Sequence, residues 1–122
     1  MVRKTLWALV LALSATPAAA SHWMFVDKTG AGEMLFADSE SIKRSSYGVT
    51  IWTQIQFKQN DTTKIDKSLW FVDCPNWQIT IENEVMLDLT GHVLSSSGAG
   101  PAAPISPDSV GETLAKRICP AK

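Results

Sequence analysis

Histidine is scarce in this sequence, and the scarcity limits the chemistry that the chain can perform. His22 and His92 are its two instances. His92 and a serine from the group at 95–97 would make a hydrolytic pair, but a nucleophile needs a rigid setting with an oxyanion site. Because a flexible serine loop supplies none of that, we interpret His92 as a surface turn residue. His22 beside the amine of Ser21 could bind copper or nickel, although a frayed terminus is the favoured interpretation.

Other signatures of chemistry are missing as well. The sequence contains no calcium-loop spacing and no glycine-rich segment that leads from a strand into a helix, as phosphate binding requires. The aspartates at 27, 38, 61, 73 and 88 fall at strand ends and turns, where such side chains satisfy backbone donors. We therefore expect no catalytic residues, no metal and no cofactor.

Long apolar runs are missing beyond residue 20, as is the basic stripe that is typical of nucleic-acid binding. We therefore expect neither a stable membrane span nor a nucleic-acid partner. The one apolar run covers residues 6–13, follows Arg3 and Lys4, and leads into Ala18–Ala20. This order predicts a signal peptide over 1–20 and a domain over 21–122. A membrane anchor is the disfavoured alternative, because small residues rather than charges follow the run.

The predicted cleavage after Ala20 bears on charge and on location. Loss of the two cations Arg3 and Lys4 changes the formal charge from −1 to −3, so the mature chain is mildly acidic. No cysteine follows the cut, and lipid attachment there is therefore not available. We expect an exported protein, periplasmic or secreted and not lipid-anchored.

Cysteine is limited to Cys74 and Cys119. An even count in an exported chain predicts one intramolecular disulfide, because two cysteines allow only one internal pairing. Closing a loop of this length should stabilise the fold by about 4 kcal/mol. The alternative, a metal site, needs more ligands than the neighbourhood offers.

The chain from Trp23 to Leu94 predicts strands separated by turns. The clearest strand begins after Tyr47-Gly48 and alternates with a period of two, which is typical of a sheet with one packed face. Its packed face carries Val49, Ile51, Thr53, Ile55 and Phe57. The other strands are expected at 23–26, 34–37, 64–74, 77–87 and 93–94, with one helical turn at 39–42 capped by an acidic side chain. In the strand at 77–87, the apolar residues at 77, 79, 81, 85 and 87 are expected to share one face and to alternate with a polar outer face.

A loop and a helix complete the prediction. The segment 95–104 is mostly Ser, Gly, Ala and Pro and predicts a flexible surface loop. Ser106 then resembles a helix cap, and Val110, Leu114 and Ile118 form an apolar stripe at helical spacing. The fold class is therefore α+β: an antiparallel sheet of about six strands, one C-terminal helix packed on one face and a single disulfide.

The candidate binding surface is Trp52 with Gln54 and Gln56, on the polar face of the clearest strand. A large aromatic on a wet face often marks a contact surface. The alternative is that the helix covers this face, and Trp52 then packs beneath it. A free sheet edge could also pair with a partner or with a second copy of the chain.

The order of several short motifs resembles the surface-adhesin protein E family, small exported bacterial domains. The matching elements are Phe36-Ala37-Asp38, Ser41-Ile42, Val49 with Trp52, Asp73-Cys74, Gly91, Ile105-Ser106-Pro107-Asp108-Ser109 and Cys119. The resemblance implies an antiparallel sheet of about six strands flanked by a C-terminal helix, and attachment to host matrix proteins or host cells. Members that adhere are typically lipid-anchored, and the missing cysteine departs from that pattern.

Two functions from different classes follow. The first is a non-catalytic binding or adhesion module, whose partner would be a host matrix protein. The alternative is a periplasmic accessory or structural protein of the cell envelope, whose partner would be an envelope protein. A homodimer formed through a sheet edge is compatible with both.

Overall fold

The computed structural model describes residues 21–121, which form one antiparallel sheet with one helix packed against it. The predicted signal peptide over 1–20 lies outside the described residues. The strands are β1 Trp23–Lys28, β2 Met34–Asp38, β3 Lys43–Arg44, β4 Val49–Gln59, β5 Thr62–Asp73, β6 Gln78–Asp88, β7 Val93–Ser97 and β8 Ala103–Pro104, and the helix is α1 Val110–Ile118.

The predicted fold class is confirmed, with a higher strand count. The strands run in the order β1-β2-β4-β5-β6-β7, and these six make the main sheet. The two extra strands are two residues long: β3 pairs with β4, and β8 pairs with β6. Two residues are too few to show a period-two pattern, so the sequence does not predict these strands.

Two of the turns that separate the strands have the backbone that their residues favour. Asn60 and Asp61 join β4 to β5 with φ of 53° and 59°, the left-handed conformation that a two-residue hairpin turn requires. Gly91, between β6 and β7, has φ of 90°, where a side chain would be strained. The predicted helical turn is also present as a 3-10 turn at Ser39–Ser41, in which the Asp38 side chain accepts a hydrogen bond from the Glu40 amide.

The core lies between the sheet and α1. The face of the sheet that packs on α1, called here the helix face, contributes Leu35, Ala37, Val49, Ile51, Trp70 and Val72 to the core, and α1 contributes Leu114, Ala115 and Ile118. Thr53 is fully buried on the same face, where its hydroxyl donates to the Ser68 carbonyl oxygen at 3.1 Å. The apolar side of β4 therefore packs as its alternation predicts.

The start of α1 lies further along the chain than Ser106 suggests. Ser109 is the cap, and its hydroxyl accepts a hydrogen bond from the Glu112 amide at 3.1 Å. The Glu112 carboxylate accepts from the amide of Asp108, the residue before the cap, so a serine and a glutamate three residues apart hold the start of the helix. Ser106 is in the approach to the helix instead, where its carbonyl oxygen accepts from the Ser109 hydroxyl.

The predicted disulfide joins Cys74 to Cys119, with Cα atoms 5.7 Å apart. Cys74 follows the last residue of β5, and Cys119 caps the end of α1. Two further contacts hold α1 on the sheet. The Arg44 guanidinium donates to the Ile118 carbonyl oxygen, and the Thr113 hydroxyl donates to Asp27 of β1 at 2.8 Å.

A β-bulge changes the orientation of half of β6. Leu69 pairs with Asn83 but Trp70 pairs with Ile81, so Glu82 is an extra residue in β6. Ile79 and Ile81 consequently lie on the helix face, whereas Val85 and Leu87 lie on the opposite face. The prediction that these four residues share one face was wrong, because an uninterrupted period of two does not hold across a bulge.

The segment 95–104 is more ordered than its composition suggests. Ser95–Ser97 belong to β7, Ala103–Pro104 form β8, and the Gly100 amide donates to the Ile81 carbonyl oxygen at 2.9 Å. Backbone pairing needs no large side chains, and β6 supplies the partner groups. Every residue of the segment is nevertheless exposed, as a surface position predicts.

Candidate binding face

The three predicted surface residues lie on the sheet face opposite α1, called here the outer face. Trp52, Gln54 and Gln56 alternate along β4 with the buried Ile51 and Thr53, and all three are half-buried. The helix packs on the side of Ile51, so it does not cover Trp52. Of the two arrangements that the sequence left open, the structure has the one in which this face is uncovered by α1.

A local feature fixes Trp52 in place. β2 pairs with β4 from Thr53 onwards and β3 pairs with Thr50, so Trp52 lies in the gap between them. Its amide donates to the Ser41 hydroxyl at 2.9 Å, and that hydroxyl donates to the Asp38 carbonyl oxygen at 2.8 Å. The short 3-10 turn thus supplies the hydrogen-bond partner that the Trp52 amide lacks in the gap between β2 and β3.

The strand register brings further aromatic residues beside the predicted three. Phe25, Phe36, Gln54, Lys67 and Val85 form one row across five strands. The rings of Phe25 and Phe36 meet edge to face with centroids 5.7 Å apart, and Phe25 is 53% exposed. This is the arrangement that aromatic pairs prefer.

A second aromatic group extends the face towards the start of β1. The Lys67 ammonium lies 5.8 Å from the ring of Trp23, within the range of a cation–π contact. Leu69 pairs with Trp52, and Phe71 pairs with Thr50. The outer face is therefore a half-buried surface of tryptophan, phenylalanine and leucine, interrupted by two amides and a lysine.

Sequence reasoning missed Trp23, Phe25, Phe36 and Lys67. The alternation within β1 and β2 is a signal that their side chains share a face, but each strand is too short to show which face. Only the register between strands places them beside Trp52, and the sequence does not state that register.

The two faces differ in charge. The paired positions of the outer face carry Lys28, Lys58 and Lys67. Two carboxylates, Asp38 and Asp73, lie at the ends of its strands, where they accept backbone amides from His22 at 2.8 Å and Asn76 at 3.1 Å. Both aspartates thus act as caps, as predicted for such positions. The lysines give the outer face a positive character, with Lys67 in mid-strand and Lys28 and Lys58 near the ends of their strands.

The helix face carries carboxylates of β1, β5 and β6. Asp66 and Glu84 lie there on adjacent strands. Burial raises the pKa of Glu84, and the Asp66 charge raises it further. Asp27 behaves in the opposite way, because the hydrogen bond from Thr113 lowers the pKa of its carboxyl group. The acidic groups therefore lie mainly away from the outer face.

The histidines have no catalytic arrangement around them within the described residues. The Nδ1 atom of His92 lies 2.7 Å from the Thr90 hydroxyl and 3.4 Å from Asp88, both in its own exposed turn. The backbone of His22 is hydrogen-bonded to Asp38 and Ser39, so the segment around His22 is held against the end of β2. Residues 21–121 bring together no group of three or more potential metal ligands among His, Cys, Asp and Glu.

The two edges of the sheet differ in their protection. The Arg117 guanidinium donates to the carbonyl oxygens of Phe25 at 3.3 Å and Val26 at 3.1 Å, which covers the edge of β1. β7 is the last strand at the other edge, and all of its residues are exposed. Val93 is 63% exposed and Leu94 is 49% exposed, so this open edge begins with apolar side chains. Within the described part of the chain, no helix is both long enough and apolar enough to cross a bilayer.

Comparison with known proteins gives one match. The family described as surface-adhesin protein E matches residues 23–120, which include every strand and the helix. No curated protein and no solved structure matches the chain. The match spans the sheet, the disulfide and the outer face, and membership implies an exported or surface protein of adhesin type. The chain belongs to the surface-adhesin protein E family.

Proposed function

We propose that this protein is a non-catalytic binding module of adhesin type that contacts a protein partner through its outer face. The observation that supports this most strongly is the aromatic surface around Trp52, which α1 leaves uncovered. Interfaces concentrate their binding energy in tryptophan, tyrosine and arginine, and large apolar patches on a monomer often mark contact sites. The side-chain amides of Gln54 and Gln56 can form hydrogen bonds with a partner, and such bonds would fix its orientation on this face.

The proposal includes a location. The predicted signal peptide and the family support export, and the lack of a cysteine after Ala20 favours a periplasmic or released protein over a lipid-anchored one. A host matrix protein is the proposed partner in the released case, and an envelope protein is the alternative in the periplasmic case. Fractionation of source cells into periplasm, membrane and medium distinguishes these compartments.

The test is a binding titration with the exported, disulfide-bonded protein. Purified matrix proteins are immobilised one at a time, and the envelope extract of the source cells is tested separately. We expect saturable binding to at least one matrix protein and a Kd about 30-fold weaker for Trp52→Ala, the effect of removing an interface hot spot. Circular dichroism and thermal unfolding of the variant check that it still folds.

The matched control is Trp77→Gly, which removes a tryptophan that lies beside the disulfide and outside the outer face. This control should bind with unchanged affinity. Equal affinity for wild type and a folded Trp52→Ala variant would contradict the use of the outer face. Retention of an envelope protein alone would replace the adhesion proposal by the accessory role.

We also propose that the protein forms a homodimer through the β7 edge, because Arg117 covers the edge of β1. A five-residue strand buries little area, so the dimer should be weak. Sedimentation equilibrium at increasing concentration should show self-association, and Leu94→Lys should weaken it about 10-fold, because an edge lysine opposes strand pairing. Leu89→Lys, in the adjacent turn, is the control. A monomer at every concentration would contradict the proposal.

A further inference from the structure

A cleft lies beside the disulfide, away from the outer face. It has a volume of about 890 Å³ and opens between the end of α1 and the turns that follow β3 and β5. Its apolar walls are Val49, Pro75, Trp77, Pro120 and the Cys74–Cys119 bridge. The volume falls in the range of sites that bind small molecules, which are concave and mostly apolar with a few polar groups.

The charged groups on the cleft are all cationic. Arg44 and Lys116 line it, and no carboxylate side chain is among its described lining residues. One N–H group of the Arg44 guanidinium donates to the Ile118 carbonyl oxygen. A guanidinium has five such donors, so others are left for a ligand. The Lys116 side chain is 66% exposed, and its ammonium forms an ion pair at 3.3 Å with Glu112, which is not among the residues that line the cleft. Two cations therefore stand at the rim of an apolar cleft.

The backbone of Trp77 supports a binding role. Its φ of 54° is the left-handed conformation, which bulky residues rarely adopt. The Trp77 carbonyl oxygen accepts from the Ile105 amide at 3.1 Å, which holds this conformation in place. Strained backbone concentrates at binding and catalytic sites. A glycine would fit this position without strain, yet the chain places an indole there, against the cleft.

We propose that this cleft binds a small amphiphilic carboxylate, an anion with an apolar body. The apolar body packs against Trp77, Pro75 and the disulfide. The carboxylate is held by Arg44 and Lys116, since charge-assisted hydrogen bonds to a carboxylate are stronger than neutral ones. The binding is non-covalent and is independent of the outer face, so it adds a second site to the module.

Decanoate is the probe, titrated into the exported protein below its micelle concentration and followed by ¹H–¹⁵N NMR. We expect saturable shifts at the amides of Trp77, Lys116 and Cys119. 1-Decanol, which has the same chain and no charge, should bind at least 10-fold more weakly. Lys116→Gln and Trp77→Gly should each weaken decanoate binding about 10-fold, whereas Lys58→Gln, a lysine of the outer face, should leave it unchanged.

Several results would overturn the proposal. Equal binding of decanoate and decanol would show simple apolar partitioning, and shifts confined to the outer face would place the anion elsewhere. The amide spectrum of Trp77→Gly shows directly whether that variant folds, and Lys116→Gln removes an exposed ammonium together with its surface ion pair to Glu112. Trp52→Ala should retain decanoate binding, so a failure of the outer-face proposal and a failure of this one give different results.

Discussion

Replacing Cys74 and Cys119 together by serine is expected to lower the free energy of unfolding by about 4 kcal/mol. The bridge joins residues 45 apart in sequence, and without it the unfolded chain regains the freedom of a long loop. A domain of this size buries limited apolar surface, so a loss of this magnitude is a large part of its total stability.

Urea denaturation of the wild type and the double variant measures this effect. Wild type unfolded in the presence of a reductant is the control, because it breaks the same bond without adding hydroxyl groups, and it should lose a similar amount. A difference of less than about 1 kcal/mol between oxidised wild type and the double variant would contradict the prediction, and would mean that contacts in the reduced chain already restrict it.

Loss of the disulfide should affect the two proposed sites to different extents. The outer face is built from strand residues whose register does not involve the bridge, so it should persist wherever the sheet persists. The cleft has the bridge as one wall, and the end of α1 forms another. After reduction α1 retains the contacts from Arg44 to Ile118 and from Thr113 to Asp27, but its last turn loses the covalent link to β5.

Much of the fold follows from local patterns in the sequence. The alternation in β4 identifies its buried face because eleven residues give several periods, and the Asn60-Asp61 turn is a residue pair that tolerates left-handed backbone. The disulfide follows from the count of cysteines. Each of these features can be predicted from residues that are close in sequence or from the number of cysteines.

Other features depend on contacts between distant segments, and they were missed or misplaced. The bulge at Glu82 is visible only when β6 is aligned with β5, and it moves Val85 and Leu87 to the outer face. Ser106-Pro107 has the composition of a helix start, but Ser109 is the cap, because its hydroxyl accepts from the Glu112 amide. Composition alone does not decide between two adjacent caps.

The candidate binding face shows the same division. Trp52, Gln54 and Gln56 were identifiable because they share one long strand. Phe36 and Trp23 lie on the same face because β1 pairs with β2 and β2 pairs with β4. The sequence does not predict this placement, because the three strands are separated along the chain. The concentration of lysines on the outer face and of Asp66 and Glu84 on the other is likewise a property of the register. A face is therefore larger and more strongly charged than any single strand predicts.

Gly48 illustrates a constraint that the sequence does not reveal, and it carries the second large prediction. A Cβ atom at Gly48 would lie 2.1 Å from the Val72 carbonyl oxygen and 3.0 Å from the Phe71 ring. The carbonyl belongs to the backbone of β5 and cannot rotate away, so the start of β4 would have to move. Gly48→Ala is expected to lower the free energy of unfolding by about 3 kcal/mol, at the upper end of overpacking effects.

Gly98→Ala is the matched control, because a Cβ atom there meets no atom within 4 Å. It should change the free energy of unfolding by no more than about 0.5 kcal/mol, since both substitutions stiffen the unfolded chain equally and only one creates a clash. Equal denaturation midpoints for the two variants would show that β4 relaxes freely at Gly48. A large loss for Gly48→Ala alone would show that the close approach of β4 to β5, which sets one wall of the cleft beside Val49, is a fixed feature of the fold.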